Sequence, residues 1–463
     1  MAEILVPSKP LAVNPLKVSQ PMGATLALLG VDQSMPLQHG AQGCTAFAKV
    51  FFTRHFREPV PLQTTAMDQV VTVMGADDNV VEALRAISAS DNRPEVIGLM
   101  TTGLSETQGA DILRSIKVFR DTHPEFIDVS IVPITTPDTL GCLESGYAQA
   151  LESLIDVLVP ESAVAGFRAR QVNVLLSAML TPGDVDAIRE LIEAFGLHPI
   201  MLPDLGRAMD GHLDEQGFHV LNIGGVSRVE IATMGKSVAT LAVGPSIYGA
   251  ADRLKTRTGV PDHRFSSLMG LEACDAFVQV LADISGKEVP LAIERQCLQL
   301  LDAMVDTHFV VGSGRVAVAG DPDQLGMLVG FLRSVGSEVV AAVASARTDS
   351  LAELPVAQVI VGDLEDLEDA AKAADAQLLV GNSHCEQSAA RLGMALLRTG
   401  FPQYDWYGGY ARQWVGYRGT RQTLFDLANL YASQRREVAP HRSLYWAGTS
   451  RQQESCGPDG GIH

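Results

Sequence analysis

Short apolar runs that end in small polar residues recur along this chain, and each is followed by a segment with helical periodicity. Such runs are typical of strands buried in a parallel sheet. Strands that alternate with helices favour parallel sheets joined by right-handed crossovers. The predicted strands are Glu95–Thr102, Val129–Ile134, Gln171–Leu176, Pro199–Leu202, Ser237–Val243, Arg315–Gly320, Glu338–Val343 and Gln377–Ser383.

Helix-start signals indicate the same alternation. Thr181 is a natural N-cap with Pro182 at the first helical position, and Asp321 stands before a proline in the same way. Residues 267–311 carry a mostly helical pattern. The other predicted helices run from Pro21 through Leu29, from Asp77 past Ile87, and over Thr107–His123, Ser145–Leu158, Thr181–Phe195 and Asp321–Val335.

These elements predict an α/β fold of three Rossmann-like, doubly wound parallel-sheet domains. The length of 463 residues agrees with this number, because domains average about 150 residues. We place the domains at residues 1–165, 166–300 and 301–434, with the first twenty residues as an extended arm. The tail, residues 435–463, is rich in Arg, Ser, Gly and Pro and is predicted to be disordered.

Charge and motif content narrow the possible functions. The net charge of −19 argues against nucleic acid or an anionic membrane as the main partner. The N-terminus has no secretory pattern, and no apolar run approaches the ~20 residues of a membrane span, so we expect a cytoplasmic protein. No phosphate-binding glycine motif follows a predicted strand. This disfavours an ordinary dehydrogenase or nucleotide hydrolase.

The clearest candidate for chemistry is Cys44, which follows a glycine-bearing turn, Gly40–Gly43, and opens an apolar helix. Helical spacing places Cys44, Phe47, Ala48 and Phe51 on one face, so we expect the thiol on the buried stripe. A helix N-terminus favours thiolate, the form that binds metal. Composition alone favours the alternative, a buried structural thiol.

The other five cysteines are scattered, without a CxxC pair or regular spacing. This arrangement is neither a disulfide framework nor a self-sufficient zinc or iron–sulfur site. Any cluster held here therefore needs ligands from another chain. We interpret Cys142, Cys274 and Cys297 as core or helix residues, Cys385 and its neighbour His384 as structural, and Cys456 as a free thiol.

Motifs along most of the chain resemble the nitrogenase component 1 family. The N-terminal match consists of Pro15–Gly23, Met35–Cys44 and Arg54–Pro59. The resemblance covers about residues 15–433 and implies that family's three-domain fold. Further matches are Gly103–Asp111, Thr136–Pro137, Ile284–Pro290, Asp306–His308, Gly320–Asp323, Gly381–Ser383, Gly400–Asp405 and Gly416–Gly419.

The resemblance also assigns ligand positions. In that family the β-type subunit supplies three cysteines to an eight-iron cluster, and Cys44 matches the second of them. Ser19 and Gly103 stand at the first and third positions, and Asp138 replaces a further serine ligand. With two thiolates gone, the chain could hardly hold half of an eight-iron cluster. It could supply one corner of a four-iron cluster completed by a partner.

This pattern is similar to the family's cofactor-assembly scaffold, so we expect a scaffold subunit more than a self-contained enzyme, with no catalytic residue. The resemblance implies that Cys44 is a metal and cofactor ligand of a [4Fe–4S] cluster shared with an α-like partner, NifE, in a heterotetramer. The partner would mainly hold the precursor of the iron–molybdenum cofactor. The nitrogenase iron protein would dock transiently.

Two alternatives remain open. One is a catalytic β-type subunit, of nitrogenase itself or of dark-operative protochlorophyllide reductase. Loss of the first and third cysteines disfavours nitrogenase, and the motifs around Gly320–Asp323 and Gly400–Gly419 look closer to the nitrogenase branch than to the reductase. The other is a metal-free α/β binding protein in which Cys44 is merely buried.

Further polar and aromatic positions have two interpretations each. Arg54, His55 and Arg57 either offset cluster charge or form a solvated face that pairs with Glu58. For His39 we expect contacts with backbone carbonyls or a subunit interface.

Two further sets of residues, an acidic pair and an aromatic group, lie near other predicted turns. Glu106 and Asp111 either dock the iron protein or are favourable helix N-terminal charges. An aromatic group is expected at an interface or in the core. Its members are Trp406, Tyr407, Tyr410 and Trp414.

Overall fold

Three separate parallel sheets, each flanked by helices, build the chain. The structure, a computed structural model, describes residues 1–9, 12–13, 15–139, 141–210 and 220–434. The predicted α/β class with three doubly wound parallel sheets is confirmed. The predicted tail, residues 435–463, which includes Cys456, lies outside the described residues. The domain boundaries stay a prediction.

The sheets contain four, four and six strands. Their orders are β3-β2-β4-β5, β7-β6-β8-β9 and β1-β12-β11-β10-β13-β14. The strands are β1 Glu3–Leu5, β2 Ser34–Gln38, β3 Gln63–Thr64, β4 Val96–Met100, β5 Ser130–Ile134, β6 Gln171–Leu176, β7 His198–Leu202, β8 Ala239–Val243, β9 Asp262–Phe265, β10 Arg315–Gly320, β11 Glu338–Ala344, β12 Gln358–Val361, β13 Leu378–Gly381 and β14 Ala395–Arg398.

The helices cover the sheet faces and connect the domains. No helix in the described part of the chain is long and apolar enough to cross a membrane. The helices are α1 Gln20–Leu29, α2 Gln42–Phe56, α3 Gln69–Met74, α4 Asp77–Ser88, α5 Gly103–Gln108, α6 Ile112–Thr122, α7 Leu143–Leu158, α8 Pro182–Ala194, α9 Leu205–Ala208, α10 Arg228–Ile231, α11 Tyr248–Thr258, α12 Leu271–Ser285, α13 Leu291–Val311, α14 Pro322–Ser334, α15 Leu364–Ala373, α16 Glu386–Leu392 and α17 Gly416–Ser433.

One local prediction differs from the structure, and the structure adds strands that were not predicted. The single helix predicted over Thr107–His123 is wrong, because Gly109 adopts a left-handed conformation that ends α5 and Asp111 caps a new helix, α6. The N-terminal arm was predicted to be extended, and its residues Glu3–Leu5 form strand β1, which pairs with β12 at the edge of the third sheet. Strands β2, β3, β9, β12 and β14 were not predicted, although all five residues of β2 are buried.

The first sheet positions the candidate site. Its central strands β2 and β4 run parallel, and β5 lies beside β4. Their carboxyl ends therefore open on the same edge, where parallel sheets bind ligands. The loop after β2 leads to Cys44, the loop after β4 leads to Gly103, and the segment after β5 contains Asp138.

Buried carboxyl groups lie where the three sheets' domains meet. Glu144 of α7 is 2% exposed, and its Oε2 accepts a hydrogen bond of 2.8 Å from the Asp323 backbone N–H at the start of α14. The Asp323 carboxylate in turn accepts bonds from the backbone N–H and hydroxyl of Ser246. Burial and mutual repulsion raise the pKa of Glu144 well above its ordinary value, and burial raises the pKa of Asp323.

These raised pKa values predict how folding stability depends on pH. A carboxyl group with a higher pKa in the folded chain binds its proton more tightly there, so stability decreases as the pH rises from about 4 through neutrality. We expect Glu144→Gln, which keeps an acceptor for Asp323, to raise neutral-pH stability by about 1–3 kcal/mol. The same substitution should also make folding stability depend less on pH.

Thermal unfolding at about pH 5 and about pH 8 measures both effects. Glu82→Gln is the control, because Glu82 is exposed and pairs with its neighbour Arg85 on α4. A Glu144→Gln chain that loses stability at neutral pH, or keeps the full pH dependence, would contradict the expectation.

Candidate cluster-ligand site

A cavity of about 1020 Å³ opens beside α2, between the first sheet's carboxyl edge and the third domain. Cys44, Ser19, Thr102 and Asp138 all line it. Thr102 immediately precedes Gly103. Three of the four positions that the resemblance assigned to cluster ligands, Ser19, Cys44 and Asp138, therefore line one cavity, although they are spread over about 120 residues of sequence, and the fourth, Gly103, directly follows the lining residue Thr102.

Cys44 is exposed at this cavity, so the predicted buried position of its thiol is wrong. The buried face of α2 is turned by about one residue from the predicted stripe, with which it shares Ala48. Its residues are Thr45, Ala48, Phe52, His55 and Phe56. Helix α2 begins at Gln42, which places Cys44 in the first helical turn. The backbone N–H groups of this first turn have no intrahelical partners.

The space around Cys44 is open. A Cβ on Gly43 would meet nothing within 4 Å. Gly40, in contrast, is held close to the first sheet, because a Cβ there would lie 2.8 Å from Thr102 Oγ1. Packing thus fixes the chain at Gly40, before α2, and leaves the first turn of α2 unobstructed at Gly43, where a bulky group can approach the thiol.

Two of the replaced ligand positions, Ser19 and Asp138, form part of the cavity's framework. Ser19 is the N-cap residue of α1 without a side-chain capping bond. Next to it, the Gln20 backbone N–H donates to Asp138 Oδ1 at 2.9 Å, and the Asp138 N–H donates to Gln20 Oε1 at 2.7 Å. Asp138 has a φ of 61°. This reciprocal pair ties the segment after β5 to the start of α1.

The donor set at the cavity fits one corner of an iron–sulfur cluster and no more. Among the described residues, Cys44 is the one cysteine that lines the cavity. No group of three or more His, Cys, Asp or Glu side chains in the described ranges could hold a metal ion. A four-iron cluster uses four thiolates, so three further ligands would have to come from beyond the described residues.

Two predicted structural thiols lie in the core. Burial raises the pKa of Cys385 to about 12 and that of Cys274 to about 12, so both stay protonated. Cys142 is also buried, at the N-cap of α7, whereas Cys297 is partly exposed on α13. Protonated, inaccessible thiols are poor metal ligands.

The third domain supplies the opposite wall of the cavity, which sequence patterns did not reveal. His384, interpreted from sequence as structural, lines the cavity, and its Nδ1 lacks a hydrogen-bond partner within the described structure. Burial and the nearby Arg54 lower its pKa, so the imidazole is neutral. Tyr404 and Arg398 lie on the same wall, and Arg398 pairs with Asp405 at 2.7 Å.

His39 is fully buried behind the cavity. Its Nδ1 lies 2.9 Å from the Thr65 hydroxyl, so a side-chain hydroxyl takes the place of the expected backbone carbonyls. Its own carbonyl accepts a 2.9 Å hydrogen bond from the Thr102 hydroxyl. Burial lowers the pKa of His39, which disfavours a proton-carrying role.

The predicted basic patch contains two cations, not three. His55 is buried, accepts a 2.9 Å hydrogen bond from the Gln403 N–H, and has its pKa lowered to about 3 by burial. Arg54 stacks over Tyr404, with 4.1 Å between guanidinium carbon and ring centroid, and Arg57 stacks over Tyr407 at 4.7 Å. Neither arginine forms an ion pair with Glu58 among the described contacts.

The aromatic group divides between surface and core. Trp406 and Tyr407 are 55% and 83% exposed, whereas Trp414 is 1% exposed. Of the two predicted acidic positions, Asp111 accepts a 2.9 Å hydrogen bond from the Arg114 N–H and so caps α6. This bond supports the helix-terminal interpretation for Asp111.

Comparison of the amino-acid sequence with known proteins gives the family of this chain. The model of nitrogenase component 1 type oxidoreductases matches residues 19–432. The nitrogenase iron-molybdenum cofactor biosynthesis protein NifN of Klebsiella pneumoniae is 46% identical over 96% of both chains. NifN of a Nostoc strain is 45% identical over 93% of this chain and 96% of its own length.

Comparison with solved structures also finds a nitrogenase protein. A structure of nitrogenase Cp1 at pH 6.5 superposes with a TM-score of 0.86 at 29% identity, covering 93% of this chain and 95% of the other. The chain therefore belongs to the nitrogenase component 1 type oxidoreductase family, and its near relatives within that family are NifN proteins.

Proposed function

We propose that this chain acts in the biosynthesis of the nitrogenase iron–molybdenum cofactor, as the β-like subunit of a NifEN scaffold. The observation that carries the proposal is the single exposed thiol of Cys44 in a cavity where Ser19 and Asp138 occupy the other ligand positions. Relatives that are 40–46% identical over nearly the whole chain are named for this biosynthesis.

In this account Cys44 is a metal ligand that supplies one thiolate to a [4Fe–4S] cluster shared with the α-like partner NifE. Such a cluster, when bound, transfers single electrons. The chain's own residues keep the site accessible: Gly43 leaves space beside the thiol, and the pair Gln20–Asp138 fixes the opposite rim. The precursor of the cofactor is cargo held mainly by the partner.

The surface around the cavity fits a protein partner. Phe47 and Val50 on α2 are 63% and 51% exposed, and the stacked Arg54 and Arg57 continue the same outer face. Interfaces are enriched in aromatic residues and arginine. We infer that the α-like partner covers this face and brings the missing thiolates. The nitrogenase iron protein would dock to the assembled pair only transiently.

The stacked arginines give a prediction about partner binding. We expect the double variant Arg54→Glu, Arg57→Glu to weaken association with the α-like partner by at least about tenfold, because both cations are pre-ordered on aromatic rings at the proposed interface. Anaerobic pull-down of the tagged chain across a salt series measures the partner retained.

Arg85→Glu is the matched control, since Arg85 is an exposed arginine on α4 that pairs with Glu82 away from the cavity. Equal retention of the partner by the double variant and the control would refute this interface.

Genetic removal of the chain tests the function itself. A diazotroph without this gene should accumulate nitrogenase protein that lacks its cofactor and regains activity when isolated iron–molybdenum cofactor is added. If the chain is instead a catalytic β-type subunit, added cofactor restores nothing, because the enzyme itself is missing. Absence of bound pigment would separate the scaffold from protochlorophyllide reductase.

We also infer a cytoplasmic location, where cysteines stay reduced.

A further inference from the structure

A buried chain of hydrogen bonds joins the start of α1 to the start of α2 beside the cavity. The Thr45 hydroxyl donates to Gln38 Oε1 at 2.8 Å. Gln38 Nε2 donates to the Thr25 hydroxyl at 3.5 Å, and that hydroxyl donates to the Pro21 carbonyl at 2.8 Å. The three polar side chains are all buried. The helix that carries Cys44 is therefore tied to α1 through polar groups shielded from solvent.

Gln38 is the centre of this chain of hydrogen bonds. It is the last residue of β2, and it lines the cavity. A buried amide costs free energy unless its polar atoms are hydrogen-bonded. The Thr25 hydroxyl gives its proton to Pro21, so its oxygen accepts from the amide N–H, while the amide oxygen accepts from Thr45. A carboxylate at this position would lack the donor, and an apolar side chain would lack both groups.

The first turns of α2 have little else to hold them in place. Thr45 is buried, whereas every other residue from 42 to 47 is exposed. The N-cap residue, Ala41, makes no side-chain capping bond, and the apolar residues that α2 buries all lie beyond this stretch. Among the described contacts, the bond from Thr45 to Gln38 is the one side-chain hydrogen bond of the turn that contains Cys44.

We propose that Gln38 is a positioning residue for Cys44. Its amide fixes the first turn of α2 relative to α1, and so fixes the thiol relative to the rim formed by Gln20 and Asp138. The inference rests on the proposed function only for what the thiol binds. The hydrogen-bonded support belongs to the chain itself and holds the turn with or without metal.

The first test removes the Thr45 hydroxyl from the anaerobically purified complex with the α-like partner. Thr45→Val keeps the shape of the side chain. We expect a chelator to strip its iron at about 10–100-fold lower concentration than in the parent, because loss of a group that orients a metal ligand weakens metal binding by that factor. Thr45→Ser keeps the hydroxyl and should restore the parent behaviour. The control is Thr122→Val on α6, whose exposed hydroxyl bonds to the Val118 carbonyl away from the cavity.

The second test reads the position of the turn without metal. A nitroxide is attached to Cys44 of the metal-free full chain, in a background that also lacks Cys297 and Cys456. In Thr45→Val and in Gln38→Met, the label should move at least about twofold faster than in the parent, because the turn has lost its support. Thr45→Ser should restore the slower motion, and Thr122→Val should leave it unchanged.

The two tests separate this inference from the cluster proposal. Equal motion of the label in the parent and in Thr45→Val would overturn the positioning role, whatever the iron shows, and so would equal loosening in Thr122→Val. Faster motion of the label together with unchanged retention of iron would support the positioning role. That same outcome would count against Cys44 as a cluster ligand.

Discussion

Replacing Cys44 by alanine is expected to remove about four iron atoms from each heterodimer while the α-like partner stays bound. The thiol is exposed at the cavity and no other cysteine of the described residues lines it, so none of those cysteines can replace it as a ligand. Three remaining thiolates from a partner hold such a cluster poorly. Iron and acid-labile sulfide, measured on the anaerobic complex, report the loss.

The matched control is Cys297→Ala. Cys297 is also a partly exposed free cysteine, but it lies on α13 with its Sγ 4.0 Å from Asp275 Oδ1 and does not line the cavity. Its removal should leave the iron content unchanged. If Cys44→Ala also kept all its iron, every metal would belong to the partner and Cys44 would be a packing residue.

Replacing Gly146 by alanine is expected to destabilise the first domain by more than about 4 kcal/mol. A Cβ at Gly146 would lie 1.9 Å from the Gln20 carbonyl oxygen, and one at Gly23 would lie 1.7 Å from the Leu143 carbonyl oxygen. Helices α1 and α7 meet through their backbones here, so no side chain can move aside. Separating them would also break the Gln20–Asp138 pair at the cavity rim.

Thermal unfolding of the parent and the variant measures this loss. Gly330→Ala is the control, because Gly330 also lies inside a helix but a Cβ there would meet nothing within 4 Å. That change should be neutral or stabilising by up to about 1 kcal/mol. A Gly146→Ala chain within about 1 kcal/mol of the parent would mean that α1 and α7 are not this closely packed.

Sequence patterns were sufficient for eight of the fourteen described strands but not for the orientation of α2. The apolar runs that predicted β4, β5, β6 and β10 are buried on both faces, so local composition alone identifies them. Helix α2 carries large apolar residues on more than one side. Periodicity could not decide whether Phe47 or Phe52 faces the core, and the structure buries Phe52.

Sequence patterns could not predict the cavity wall that the third domain supplies, for a different reason. His384 lies 340 residues from Cys44 in sequence, and the two meet only because the third domain folds against the first. Strand β2 was missed because Pro36 and Gln38 interrupt its apolar run, yet both residues are buried in the sheet. Tertiary packing overrides local propensity at these positions.

Native mass spectrometry of the anaerobic complex, purified from cells that cannot make the cofactor precursor, tests the central claim most directly. The mass added to each heterodimer by its metal identifies the shared cluster without counting cargo. We predict one cluster of about four irons and four sulfides per heterodimer, absent from the Cys44→Ala complex. A cluster of about eight irons at the interface, or one that survives the loss of Cys44, would contradict the account.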